Sequence, residues 1–150
     1  MVAVMNFRGI GNYCSIADGV KFILGDEHRY NTLTTYPFRR IVIDNSYVET
    51  FSKGPIIVED DMWIGTNSLI LSGVKLSKGT VVAAGSVVTK STEPYSIVGG
   101  NSAKLIRKRF SEEDSKILMT VDLSSVLLMH NSEWCFDSVD ENLLNHINNF

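Results

Sequence analysis

One histidine stands out among the residues that could carry chemistry. His28 lies in a polar run at residues 25–29, whereas His130 and His146 lie near the C-terminus. Histidine is the side chain whose unperturbed pKa, about 6.5, lets it take a proton from a hydroxyl group and return it near neutral pH. Considered alone, His28 fits two descriptions, a general base and an ordinary surface histidine in a polar loop.

A second group of candidate residues is cationic. Four of the chain's 14 basic residues lie close together in sequence, at Lys104, Arg107, Lys108 and Arg109. Such side chains form charge-assisted hydrogen bonds with phosphate groups, which are stronger than those between neutral partners. The run fits either a phosphate-binding surface or a solvated charged face.

A period of six residues, here called the six-residue lattice, indicates the elements that position these side chains. Large apolar residues occupy it in two blocks: Val4, Ile10, Ile16 and Phe22, then Val58, Ile64, Ile70, Leu76, Val82 and Val88. A helix repeats at about 3.6 residues and an ordinary strand at about 2, so this period excludes a simple version of either. It predicts a β-helix, in which the coils stack and each flat face points one large side chain inward.

Small side chains and glycines fit the same prediction. Small or thin residues follow the lattice positions by four residues, with Met62 as the exception: Cys14, Val20, Ser68, Val74, Thr80, Ser86 and Thr92. The glycines expected at tight corners with positive φ are Gly65, Gly73, Gly79 and Gly85. Because Cys14 and Cys135 have no CxxC spacing, we expect Cys14 to be a buried thiol that fills a corner.

The lattice fails over residues 26–55, here called the excursion. Its positions there are occupied by residues that are not apolar: His28, Thr34, Arg40, Ser46 and Ser52. Loops longer than about 12–15 residues inside a compact domain are usually functional or disordered. Five aromatic residues favour a packed segment over a disordered one: Tyr30, Tyr36, Phe38, Tyr47 and Phe51.

Helices are predicted after the coils. Ser111 followed by three acidic residues is a helix start, and we expect a helix over 111–122. Ser138 with Glu141 predicts a second helix over 138–149. The chain is therefore predicted to be an all-β domain with C-terminal helices, with the β-helix over residues 1–110 and a helical extension of the same domain over 111–150.

Composition narrows the classes of partner. A net charge of −3 gives no reason to expect nucleic acid, because surfaces that follow phosphates need a positive excess. The apolar start at residues 1–6 is too short for a signal peptide, and residues 123–129 are too few to span a bilayer. We therefore expect a cytoplasmic protein without a membrane or nucleic-acid partner.

Three parts of the sequence together resemble one family. They are the hexads, the segment from His28 to Phe38, and the tail AAGSVVTK at 83–90 with PYSIVGGNSAKLIRKRF at 94–110. Over about residues 10–120 the chain resembles the hexapeptide-repeat acetyltransferases, in the xenobiotic acetyltransferase branch. That branch includes chloramphenicol and streptogramin acetyltransferases and many sugar O-acetyltransferases. The resemblance implies a left-handed parallel β-helix, a homotrimer, and acetyl-CoA bound along the outside of the coils between two subunits, without a metal.

The resemblance also implies roles for single residues. His28 matches the general base that deprotonates the acceptor hydroxyl, and Asp26, Tyr36 and Phe38 are the expected acceptor contacts. The positions that match acetyl-CoA contacts are Trp63, Thr66, Ala84, Thr89, Lys90, Lys104 and Arg107. Neither cysteine lies near the expected site, so direct attack is expected rather than an acyl-enzyme.

The chain departs from the family pattern in three places. Ser102 stands where the family usually has proline, Asp26 and Glu27 precede the histidine where drug-modifying members carry uncharged residues, and the coils begin almost at residue 1. The last two departures favour a sugar over an antibiotic as acceptor. The alternative is an antibiotic-inactivating O-acetyltransferase.

Two other classes of protein share the β-helix. A zinc enzyme of the carbonic anhydrase type needs three histidine ligands, and only His28 lies in the coil region. A non-catalytic trimerisation module needs neither the histidine-bearing excursion nor the basic run. Binding of acetyl-CoA distinguishes an enzyme from that module.

Overall fold

The structure, a computed structural model, describes residues 7–124, 139, 140 and 144. The chain divides into two compact units, Met1–Lys108 and Arg109–Phe150. The strands of the described residues all lie in the first unit. Their bounds in chain order are β1 Phe7–Ile10, β2 Ser15–Ile16, β3 Lys21–Ile23, β4 Glu27–His28, β5 Thr50–Phe51, β6 Ile56–Val58, β7 Trp63–Ile64, β8 Leu69–Leu71, β9 Lys75–Leu76, β10 Val81–Val82, β11 Val87–Val88, β12 Ser96–Gly99 and β13 Lys104–Lys108.

Nine of these strands form three stacked coils. The first coil is β1–β3, the second is β6–β8 and the third is β9–β11. Each strand pairs in parallel with its equivalent in the next coil, which gives three faces with the orders β1-β6-β9, β2-β7-β10 and β3-β8-β11. The stacking that the six-residue lattice predicts is thus confirmed, while the left hand of the coils stays a prediction.

The second face continues beyond the third coil. β12 adds in parallel to β10, with Val81 opposite Ile97. β13 then pairs antiparallel with β12, with Ile97 opposite Arg107 and Gly99 opposite Lys104. The chain direction therefore reverses at the last strand of this face.

The lattice residues of the second and third coils fill the interior. All six are exposed by 3% or less: Val58, Ile64, Ile70, Leu76, Val82 and Val88. They lie in register, so each stacks on its equivalent in the next coil, for example Ile70 on Val88. Full burial of an aliphatic side chain stabilises a fold by about 1.5–3 kcal/mol, so these ladders account for much of the stability of this unit.

Buried hydroxyl groups close the corners between faces. Ser68, Thr80, Ser86 and Ser96 are buried, and each donates a hydrogen bond to the carbonyl oxygen three residues earlier, at 2.6–2.8 Å. A buried hydroxyl without a partner would be costly, so this local bond is what allows serine and threonine to occupy inward positions. The predicted small inward sites at Ser68, Thr80 and Ser86 are confirmed.

The first coil is less buried than the other two. Ile10 is 46% exposed, although the lattice predicts it to point inward, and Ile16 and Phe22 are half-buried. The physical reason is that, among the described residues, the first coil has a stacked neighbour on one side only. Val4 lies outside the described residues.

Close contacts with neighbouring segments explain two of the predicted corner glycines. Gly73 has φ +77°, and a Cβ there would lie 2.9 Å from the Cβ of Lys53. Gly65 differs from the prediction, because its φ is not positive. A Cβ at Gly65 would lie 2.5 Å from the backbone nitrogen of Ala84 in the next coil, so glycine is required there for close stacking.

The excursion contains three short elements. β4 and β5 pair antiparallel near its two ends, with His28 opposite Thr50. Between them lies a π-helical segment, Arg39–Ile43, whose residues are all exposed. The six-residue lattice gives no indication of these elements.

The second unit contains one described helix, α1 Glu112–Thr120. Ser111 caps it, because its hydroxyl accepts a hydrogen bond from the Asp114 N–H at 3.0 Å, and Glu112, Glu113 and Asp114 form the first turn. The predicted helix start is confirmed. The second predicted helix, over 138–149, lies mostly outside the described residues, and no helix in the described part is long and apolar enough to cross a membrane.

Candidate active site

His28 is held on a strand at the edge of a pocket. Along β4 successive side chains point to opposite faces. The carboxylate of Glu27 reaches the coils, where it accepts a hydrogen bond from the Ser72 hydroxyl at 3.1 Å. His28 consequently faces away from the coils, and its side chain is exposed.

The pocket beside His28 has a volume of about 260 Å³ and lies wholly within the excursion. Its other lining residues are Arg29, Thr32, Thr34, Thr35, Tyr36, Phe38, Arg39, Tyr47 and Glu49. Tyr36 and Phe38 pack edge to face, with 4.8 Å between ring centroids. The guanidinium of Arg39 lies 4.0 Å from the centre of the Tyr47 ring. Three aromatic rings with hydroxyl and charged groups can hold a small molecule by its apolar surface and its polar groups together.

Threonine hydroxyls order the rim of this pocket. The Thr32 hydroxyl donates to the Thr34 carbonyl oxygen at 2.7 Å, and the Tyr36 N–H donates to the Thr34 hydroxyl at 3.1 Å. Local bonds of this type stabilise turns where no regular strand is available. They hold the backbone at Tyr36, whose ring packs against Phe38.

Asp26 is not brought together with the other three excursion residues predicted for the site. It lines a second cavity, of about 620 Å³, between the first coil and the far side of the excursion, with Phe22, Arg40 and Phe51 among its neighbours. His28, Tyr36 and Phe38 line the first pocket instead. The sequence pattern does not indicate this second cavity, since it arises from the fold of the excursion back towards the first coil.

Two of the residues expected to contact acetyl-CoA lie in one row on the outside of the second face. Trp63 is opposite Val81, Val81 is opposite Ile97, and Ile97 is opposite Arg107. Trp63 and Arg107 are both exposed. With strands about 4.8 Å apart, the row joins an aromatic ring to a guanidinium group over about 14 Å.

Thr66 and Ala84 lie at the corner that follows this face. Both are exposed, and the Gly85 N–H donates to the Thr66 carbonyl oxygen at 2.8 Å. The Thr66 hydroxyl donates to the Asp18 carbonyl oxygen at 2.7 Å, so its proton is used within the coil stack. The side chains at this corner are short, which leaves the backbone open to a thin ligand.

Thr89, Lys90 and Lys104 line one cavity of about 350 Å³ beyond the third coil. All three are exposed, and Lys104 lies on β13 opposite Gly99. The structure thus brings three of the predicted acetyl-CoA contacts together here, while Trp63 and Arg107 share the row described above.

The basic run does not act as one cluster. Lys108 forms an ion pair with Glu93, and the hydrogen bond and charge of Lys108 lower the pKa of the Glu93 carboxyl. Arg107 donates only a long hydrogen bond, 3.4 Å, to the Lys108 carbonyl oxygen. Of the basic residues on β13, Lys104 and Arg107 form no ion pair with another described residue, so their charge could serve a phosphate.

None of the predicted acetyl-CoA contacts lines the pocket beside His28. The excursion leaves the stack after the third face, whereas Trp63 lies on the second face and Thr66 and Ala84 lie at its corner. Within the described residues, no group of three His, Cys, Asp or Glu side chains could hold a metal ion.

Comparison with known proteins agrees with this geometry. Residues 55–90 match the family model described as the hexapeptide repeat of succinyl-transferase. Over 119 residues the chain is 43% identical to a probable macrolide acetyltransferase from Lysinibacillus sphaericus, covering 75% of this chain and 66% of that one. It is 38% identical, over 119 residues, to a chloramphenicol acetyltransferase from Klebsiella aerogenes, covering 75% of this chain and 57% of that one.

A solved structure of an acetyltransferase is also similar to this chain. The chain matches a hexapeptide-repeat-containing acetyltransferase from Vibrio cholerae O1 biovar eltor, complexed with acetyl coenzyme A. The TM-score is 0.51 and the identity 30%, over 68% of this chain and 60% of that one. On these similarities the chain belongs to the hexapeptide-repeat acetyltransferases, in their xenobiotic acetyltransferase branch. It spans 57–66% of the length of the two curated relatives.

Proposed function

We propose that this protein transfers an acetyl group from acetyl-CoA to a hydroxyl group of a small acceptor, with His28 as general base. The observation that carries the proposal is the exposed His28 at the edge of a 260 Å³ pocket with aromatic and hydroxyl lining. The V. cholerae structure, complexed with acetyl coenzyme A, supports the choice of donor.

The chemistry is a direct transfer. The acceptor hydroxyl gives its proton to the His28 imidazole while its oxygen attacks the thioester carbonyl carbon. The C–S bond then breaks, and the departing thiolate receives the proton from the imidazolium, which leaves an acetyl ester and CoA. Proton transfer of this kind contributes about 10²–10⁴-fold to a rate.

Cys14 is a poor candidate for an acyl-enzyme nucleophile. It is half-buried, and its thiol donates to the carbonyl oxygens of Asn12 and Glu59 at 3.5 and 3.3 Å. Burial raises the pKa of the Cys14 thiol, which keeps it protonated. This supports direct attack by the acceptor.

The outside of the coils is proposed to bind acetyl-CoA. Trp63 would lie near the thioester end, Thr66 and Ala84 beside the thin pantetheine arm, and Lys104 and Arg107 at the phosphates. Thr89 and Lys90 share a cavity with Lys104, so they would contact the same end of the ligand.

A left-handed homotrimer would complete the site. Because none of the predicted acetyl-CoA contacts lines the His28 pocket of the same chain, one subunit would supply the base and its neighbour the acetyl-CoA surface. Three chains around a threefold axis form such interfaces in a closed assembly.

The acceptor is proposed to be a hydroxylated antibiotic. The relatives named above are macrolide and chloramphenicol acetyltransferases. The charges that favoured a sugar, on Asp26 and Glu27, do not line the His28 pocket. A sugar acceptor remains the alternative that experiment must separate.

The first experiment measures acetyl-CoA binding by calorimetry and then thiol release with a panel of acceptors. Chloramphenicol, a macrolide and several hexoses form the panel. Thiol release with one of the antibiotics is the expected result, and release only with hexoses would assign a sugar acceptor. A protein that does not bind acetyl-CoA would instead be a non-catalytic module.

The shared site is tested by mixing two inactive variants. His28→Ala removes the base, and Ala84→Trp obstructs the open corner. Unfolding and refolding them together should restore activity, because some interfaces of a mixed trimer carry neither lesion. Mixed trimers that form but stay inactive would place both residues in one subunit's share of the site.

A further inference from the structure

We propose that Glu27 is the positioning residue for His28, acting through a clamp that fixes both ends of the excursion to the second coil. The inference rests on the proposed role of His28 as general base. The clamp is defined here as Glu27, Lys53 and Ser72.

The two carboxylate oxygens of Glu27 have different partners. Oε1 accepts a hydrogen bond from the Ser72 hydroxyl at 3.1 Å, and Oε2 lies 3.0 Å from Lys53 Nζ. The Glu27 side chain is only 19% exposed, and Ser72 is 3% exposed. A carboxylate this shielded is stable only if both oxygens are paired, and the clamp supplies both partners.

Ser72 connects the entry of the excursion to its exit. Its hydroxyl oxygen also accepts a hydrogen bond from the Lys53 backbone N–H at 3.1 Å. One coil residue therefore holds Glu27 at the start of the excursion and Lys53 at its end. The next residue strengthens the contact, because the Gly73 N–H donates to the Gly54 carbonyl oxygen at 2.9 Å.

His28 has no such partner of its own. Its imidazole makes no hydrogen bond to another described residue, so no neighbouring side chain sets its direction. The backbone of β4 must therefore set the direction of the imidazole. Because side chains alternate along a strand, a Glu27 side chain that points towards the coils requires a His28 side chain that points away from them. A slip of one residue would turn the imidazole towards the coils and the carboxylate into the pocket.

The kinetic test compares variants of the clamp. Glu27→Ala should lower kcat by about 10- to 100-fold, the loss typical of a misplaced catalytic group, while the KM for acetyl-CoA stays unchanged. Glu27→Gln, which keeps an oxygen to accept from Ser72, should retain most of the activity. Asp44→Ala removes a carboxylate from the same excursion away from the pocket, and it is the matched control.

The decisive measurement is a double-mutant cycle with His28→Ala. If Glu27 acts through His28, Glu27→Ala should cause no further loss in a His28→Ala background. An additive loss, or a Glu27→Ala enzyme with unchanged kcat, would overturn the clamp as a positioning device. If His28→Ala itself retains its turnover, the proposed function fails first, and the two failures are thus distinguishable.

A second variant covers the case in which Glu27→Ala does not fold. Lys53→Ala leaves the hydrogen bond between Glu27 and Ser72 in place and removes only one partner of the carboxylate. It should also lower kcat, but by a smaller factor than Glu27→Ala. An unchanged kcat in Lys53→Ala would also contradict the proposal.

Discussion

The coil stack and the excursion use their apolar residues in opposite ways. In the second and third coils every large lattice residue is exposed by 3% or less. In the excursion Tyr30, Leu33 and Val42 are exposed by 87%, 106% and 70%. The coils bury their large apolar side chains in the interior, whereas the excursion exposes several of its own to solvent.

This difference places the buried, stabilising side chains and the proposed acceptor-binding residues in separate segments. A change in the excursion can alter what is bound without disturbing the ladders of Val58, Ile64 and Ile70 and their equivalents in the third coil. Functional residues on loops above a rigid scaffold are a common solution for the same reason. The following predictions test how complete the separation is.

The largest expected effect belongs to the excursion. His28→Ala should lower kcat by about 10²–10⁴-fold and leave the KM for acetyl-CoA nearly unchanged, because the imidazole faces the acceptor pocket. The unfolding midpoint should not move, since the side chain is exposed. Steady-state kinetics and thermal unfolding measure the two properties. A variant that keeps most of its turnover would remove His28 from the mechanism.

The next effect belongs to the coils. Ile70→Ala should lower the free energy of unfolding by about 2–5 kcal/mol, because it opens a cavity in a fully buried ladder. Leu33→Ala, in the exposed excursion, is the matched control and should change stability by less than about 0.5 kcal/mol. Denaturant unfolding measures both. Equal losses would show that the excursion contributes to folding after all.

A binding effect of intermediate size is expected on β13. Lys104→Ala and Arg107→Ala should each raise the KM for acetyl-CoA by about 10-fold or more, since hydrogen bonds to charged groups contribute about 1.5–3 kcal/mol. kcat should change little. Lys108→Ala is the control, because Lys108 is already paired with Glu93. Comparison of CoA with dephospho-CoA locates the contact, and an equal loss for both would place it away from the 3′-phosphate.

The smallest expected effect is on the pH dependence of stability. It concerns Glu59 of the second coil, which forms an ion pair with Lys75 of the third. Burial alone would raise the pKa of this carboxyl, but hydrogen bonds and charge from Lys75 and Lys78 outweigh it and lower the pKa overall. A lowered folded pKa contributes stability above the unfolded value, about 4.3, and that stability disappears as the pH falls through the folded pKa.

Glu59→Gln tests this link. The variant should be less stable than the parent by under about 1 kcal/mol above about pH 5, and the difference should vanish on further acidification. Unfolding curves at several pH values measure it. A difference that grows as the pH falls would contradict the assigned direction.

The coils could be predicted from the sequence because their constraint is local. Each lattice position requires a large aliphatic residue, and the buried Ser68, Thr80 and Ser86 take their hydrogen bonds from carbonyl groups three residues away. The exposure of Ile10 could not be predicted in this way, since the six-residue lattice repeats identically at the end of a stack and in its middle.

The excursion could be located but not described from the sequence. Its aromatic residues indicated a packed segment, but the pairing of His28 with Thr50 and of Glu27 with Lys53 joins positions that are distant in the chain. The same limit explains why Asp26 was grouped with His28. They are close in sequence, but Asp26 precedes β4 with a positive φ of 66°, outside the alternation of the strand, and the two residues line different cavities.

The antiparallel strand β13 affects whether further strands can add to the end of the second face. A parallel face that ended at β12 would offer unpaired backbone groups to another strand, which is a route to fibrous assembly. β13 runs in the opposite direction and carries Lys104, Arg107 and Lys108, and charged side chains on an outer strand discourage further pairing. The cations proposed to hold the donor's phosphates would thus also act as gatekeepers against aggregation, so neutralising them carries a solubility risk in addition to a weaker affinity.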